Sequence, residues 1–163
     1  MLSLIESLII LIIFFSSNFI LNYIYLKYYK NEKKINKQKF MKNTMATVLI
    51  LFGFLKLFNL SRFVHIFSKY DLISKNFNLY GYLYPFIEIL LGFLLLILKK
   101  NKLKIVNQSI IYLMIISIIS VLISILKGEK LRCGCLGSFF HIPLSYVTLS
   151  ENIFMILMIN YIK

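Results

Sequence analysis

Residues 105 to 126 read IVNQSIIYLMIISIISVLISIL, a stretch with no charged side chain. A bilayer core about 30 Å thick is crossed by about 20 apolar helical residues, and a helix satisfies its backbone groups internally where no water is present. The stretch therefore predicts a membrane-spanning helix. Four other segments reach a similar length: Leu2 to about Leu26, with Glu6; about Asn43 to Ser61, with Lys56; about Phe77 to Leu98, with Glu88; and about Ile142 to Ile162, with Glu151. Membrane strands are shorter and alternate in polarity, so continuous apolar runs favour helices. The expectation is an all-α integral membrane protein.

Composition agrees. Hydrophobic residues make up 60% of the 163-residue chain, with six Gly and two Pro, which is far from the balance of a soluble domain. The first apolar segment has no basic residue ahead of it and no small-x-small cleavage site, so it reads as a retained helix and not a signal peptide.

A net charge of +13 would suggest nucleic acid in a soluble protein, but the positions of the cations point to lipid. Lys27, Lys30, Lys33, Lys34, Lys37, Lys39 and Lys42 crowd one inter-helix segment, and Lys99, Lys100, Lys102 and Lys104 fill another on the same side, where Lys163 also falls. The opposite side carries Arg62, Lys69 and Lys75 in one loop and Lys127, Lys130 and Arg132 in another, partly offset by Asp71 and Glu129. Cytoplasmic loops carry the excess of Lys and Arg. The N-terminus is then expected outside, the C-terminus inside, and the loop before the last helix on the outer face of the cytoplasmic membrane. Basic tracts beside a membrane bind anionic headgroups, so a lipid bilayer and no nucleic acid is the expected partner of the lysine run.

That outer loop holds both cysteines of the chain, in Cys133-Gly134-Cys135-Leu136-Gly137. A disulfide needs Cα atoms roughly 4.4 to 6.8 Å apart, which a tight turn supplies, and Gly134 permits one because it lacks a Cβ. Closing so small a loop gains little stability, and strained, exposed disulfides are the exchangeable ones. Lys127, Lys130 and Arg132 precede the pair and favour a thiolate. The pair also suits Cu(I), with His141 as a further ligand. A structural zinc site wants four ligands, which two Cys and two His meet only if distant His65 joins, so no metal site is assigned.

Charged residues within the spans form the second informative set. Pro85, Glu88 and Gly92 are spaced i, i+3, i+7 and share a helical face, which turns Glu88 toward the bundle and lets another helix approach at Gly92. Lys56 is within reach of Glu88; the alternative is that Lys56 snorkels to the interface and Glu88 is neutral. Ser117, Ser120 and Ser124 in one helix, and Ser145, Thr148 and Asn152 in the last, form polar stripes of the kind that pack helices together.

The order Gly53-x-x-Lys56, Pro85-x-x-Glu88-x-x-x-Gly92, Cys133-Gly134-Cys135-Leu136-Gly137 and Asn152 resembles the methylamine-utilisation MauE family, within the DoxX-like four-helix membrane proteins. The likeness covers about residues 43 to 163, with Leu136 where the family commonly has Phe and Glu151 where it commonly has Arg. The resemblance implies a four-helix membrane domain over 43–163, preceded by an extra transmembrane helix and basic linker over 1–42. It implies thiol-disulfide exchange with a thioredoxin-like extracytoplasmic partner in methylamine dehydrogenase maturation. Cys133 and Cys135 would be the exchanging pair, with Gly134, Lys56, Glu88 and Asn152 supporting. No bound cofactor is expected, although Lys56 and Glu88 could border a quinone-like acceptor. Two rival readings use the same residues: a metal-handling or transport protein with thiolate ligands, and a scaffold that docks a partner without exchanging electrons.

Overall fold

The computed structural model describes residues 37–98, 100–128 and 144–162, together with 16, 19, 20, 22–24 and 27. Every regular element among them is helical. The order is α1 (Lys37–Phe58), α2 (Leu60–Tyr70), α3 (Asn78–Ile97), α4 (Lys100–Leu126) and α5 (Leu144–Ile162). Three of these helices are long and apolar enough to cross a membrane, over Gln38–Phe58, Asn78–Ile97 and Lys102–Leu126. The expected first span lies mostly outside the described residues; α5 is helical over most of the expected last one but is not among these three.

The bundle is apolar outside and partly polar inside, as lipid demands. Leu90, Ile97, Ile105, Ile119 and Leu122 point outward, while Ser117, Ser120, Ser124 and Asn152 are buried. The core between them is Met45, Val48, Leu49, Phe52, Leu95, Ile110, Met114, Val121, Met155 and Ile159.

α1 and α3 run antiparallel in close contact, and two glycines set their approach. A Cβ on Gly92 would sit 2.9 Å from the Ala46 carbonyl oxygen and 2.7 Å from Ile50 Cγ1. One on Gly53 would collide with Ile89 and lie 3.0 Å from the Pro85 carbonyl oxygen. At the lysine-rich end, Lys42 Nζ donates to the Leu98 carbonyl oxygen at 3.5 Å, meeting one of the carbonyls orphaned at the end of α3. The N-terminal segment also joins the bundle: Asn22 Nδ2 donates to Thr47 Oγ1 at 3.1 Å, and the Phe19 ring lies 5.0 Å from that of Phe40.

α2 corrects the expectation of a loop between the second and third spans. Phe63, Val64, Phe67 and Tyr70 recur at helical spacing and are all buried, whereas Arg62, His65 and Lys69 on the other face are exposed. Eleven residues of that pattern make an amphipathic helix, too short to span and apolar enough on one side to pack. The Asn59 side chain caps it by accepting from the Arg62 N–H at 3.4 Å. α2 folds over the end of α1 beside the first turns of α3.

Candidate functional site

A buried ion pair organises the end of the bundle capped by α2. Lys56 comes from the last turn of α1 and Glu88 from the middle of α3, and each is 3% exposed. The Lys56 ammonium donates to both Glu88 carboxylate oxygens at 2.5 Å. Lys56 therefore turns inward to a partner and does not snorkel. The geometry follows from the Gly53–Ile89 and Gly92–Ala46 contacts, which hold the two helix backbones close enough for the side chains to meet.

Aromatic rings close over the ammonium. Its Nζ lies 4.8 Å from the Tyr84 ring centroid and 5.8 Å from that of Phe63, distances at which a ring face attracts a cation. Tyr84 also hydrogen-bonds the Glu88 carboxylate one turn further along α3. Phe63 and Phe67 stack with centroids 5.0 Å apart, and Phe67 meets Tyr84 at 4.7 Å. These rings were not singled out from sequence; the signal was the helical spacing within 60–70, which reads as a loop when its cations alone are counted.

α4 and α5 supply the opposite wall. Asn152 Nδ2 donates to Ser117 Oγ at 2.9 Å with both residues buried, and Glu151 is buried next to it. Lys56, Glu88, Tyr84, Ser117, Glu151 and Asn152 thus border one cavity, closed by the α2 rings. Its volume is about 10 Å³, room for about one water molecule and not for a quinone ring among the described residues. A quinone-like acceptor does not fit this space, and no step is derived through it.

A second polar knot fixes the turn after α2. Asp71 Oδ1 accepts from the N–H groups of Ile73 at 3.1 Å and Ser74 at 2.7 Å, and the Ser120 hydroxyl donates to Asp71 Oδ2 at 3.4 Å. The Leu72 N–H in turn donates to Ser120 Oγ at 3.2 Å, tying α4 to the turn. Burial pushes the Asp71 carboxyl above its ordinary range, and the bonds from Ser74, Ile73 and Ser120 pull part of the way back. Asp71 is thus an internal brace, and not the surface counter-charge its place among basic residues suggested.

The structure brings Lys56, Glu88 and Asn152 to one cavity. Cys133, Gly134 and Cys135 lie outside the described residues, as does His141. The segment that carries them leaves α4 after Leu126 and enters α5 at Leu144, both at the α2 end of the bundle. His65 is exposed on α2, and no group of three or more His, Cys, Asp or Glu suited to a metal ion occurs among the described residues.

Comparison with known proteins points to one family. A sequence model of the family described as methylamine utilisation protein MauE matches residues 39–162. No curated protein and no solved structure matches the chain. The match takes in all five helices except the first two residues of α1, and the chain belongs to the MauE family.

Proposed function

We propose that this MauE-family membrane protein exchanges thiols and disulfides with a thioredoxin-like protein outside the cytoplasmic membrane, in support of methylamine dehydrogenase maturation. Cys133 and Cys135 are the exchanging pair, and Gly134 allows the turn that joins them. The observation that carries this reading is the chain's only two cysteines, two apart, in the segment between α4 and α5. Family membership supports the methylamine setting.

In this proposal α1, α3, α4 and α5 form a DoxX-like four-helix domain over 43–163, and residues 1–42 add a further crossing and a basic linker. The lysine-rich end faces the cytoplasm and the α2 end faces outward, where disulfides persist. Exchange is balanced without any third reactant. A partner thiolate attacks one sulfur of the Cys133–Cys135 disulfide and expels the other as a thiolate, giving a mixed disulfide. The partner's second thiolate then displaces Cys133 or Cys135, so the partner is oxidised by two electrons and this chain is reduced. The reverse sequence uses the same steps. Lys56, Glu88 and Asn152 support the pair indirectly, by holding α1, α3 and α5 in place.

The test is capture. Cys135→Ser or Cys133→Ser, expressed in cells and quenched in acid, should accumulate a mixed disulfide with an extracytoplasmic dithiol protein that reductant releases. Capture of a cytoplasmic protein would reverse the orientation. Absence of any captured partner from both variants, with loss of bound copper from both, would replace exchange by metal handling.

A further inference from the structure

The geometry points to the outer face of α2 as a binding surface for anionic phospholipid headgroups, with Arg62, Lys69 and Lys75 as its cations. Three observations place it there. First, α2 is confined between two helices long and apolar enough to cross a membrane, Gln38–Phe58 and Asn78–Ile97, which sets it at the end of both. An 11-residue helix is about 16 Å long, enough to lie along the interface and too short to leave it.

Second, the two faces of α2 differ sharply. The inner face seals the bundle with Phe63, Val64, Phe67 and Tyr70, while Arg62, His65 and Lys69, spaced i, i+3, i+7, are exposed together. Lys75 is exposed in the following turn, and exposed Leu72 and Phe77 flank it. Cations beside exposed apolar side chains match the boundary between phosphates and acyl chains.

Third, the described surface offers these cations no carboxylate. Asp71, Glu88 and Glu151 are the acidic residues among the described positions, and they are 2%, 3% and 6% exposed. Each serves the interior, so none of them neutralises this face. Phosphate groups of the surrounding leaflet are at the right depth, and each nearby Lys or Arg adds to attraction for an anionic surface.

The surface has a structural consequence. The helix that meets the headgroups on one side supplies Phe63, Phe67 and Tyr70 to the Lys56–Glu88 cavity on the other. Headgroup binding therefore holds the cover of the buried pair in place.

The chain has no tryptophan, which gives a clean optical test. Full-length protein carrying Phe77→Trp is reconstituted into nanodiscs of phosphatidylcholine with a minor share of phosphatidylglycerol, with bromine on the acyl chains of one lipid or the other. Quenching should show phosphatidylglycerol enriched about fivefold next to the reporter. Arg62→Gln/Lys69→Gln/Lys75→Gln should bring the ratio near one, while Lys102→Gln/Lys104→Gln at the far end leaves it unchanged. Quenching by brominated phosphatidylcholine in each variant verifies that the reporter still sits in lipid. Equal quenching by both lipids in the parent, or an unchanged preference in the triple variant, would overturn the assignment. Displacement of the anionic lipid at constant ionic strength by inorganic phosphate would reassign the face to a free anion, and displacement by polyglutamate to an acidic protein.

Discussion

Lys56 and Glu88 are each intelligible only through the other. An ammonium or a carboxylate alone in the bundle interior would be an uncompensated charge, and the contacts from Tyr84 and Phe63 do not replace a counter-ion. Lys56→Met or Glu88→Leu alone should therefore lower stability by about 3 to 5 kcal/mol, whereas the double variant recovers most of the loss. Reversible unfolding in mixed detergent micelles, run as a double-mutant cycle, measures this; additive losses would show that the two side chains act independently. Much of this pair was legible in the sequence. The i, i+3, i+7 spacing of Pro85, Glu88 and Gly92 put Glu88 on an inward face, and one long cation in a neighbouring span was within reach. The rings were not legible, because their role depends on α2 folding back over α1. Asp71 was misread for a similar reason, since its charge was counted without the backbone donors that surround it.

At the level of elements, the contact between α1 and α3 depends on two positions without a Cβ. Gly92→Val places branched carbons against the Ala46 carbonyl and the Ile50 backbone, neither of which moves without shifting α1. The expected cost is about 1 to 3 kcal/mol by the same unfolding assay. The loss should also grow when combined with Lys56→Met, since separating the helices separates the ion pair. A Gly92→Val variant as stable as the parent would mean that the helices pack differently. The spans were readable from their apolar runs to within several residues, with α1 starting at Lys37 and α4 at Lys100, earlier than their apolar stretches suggest. Polar residues extend those helices where lysine side chains reach the interface. The short helix α2 escaped because charge was weighed there and hydrophobic spacing was not.

Across the whole molecule, polarity is divided between two ends. One end carries the lysine-rich start of α1 and the start of α4, and the other carries α2, the Lys56–Glu88 cavity and both attachments of the cysteine segment. Such a division suits the proposed orientation, with the lysine-rich end in the cytoplasm and exchange on the outer side. The all-helical architecture was legible in the long apolar runs, and the family in the order of a few residues. What the cysteines do depends on chemistry that neither spacing nor packing fixes. Equilibrating the purified full-length protein in lipid with thiol–disulfide buffers, then alkylating and counting free thiols by mass, addresses it most directly. The account predicts one two-electron transition, about 30 mV per tenfold change in ratio, at a potential above roughly −300 mV where strained, exchangeable disulfides titrate. Sulfurs that stay wholly free or wholly joined across the accessible range would contradict it.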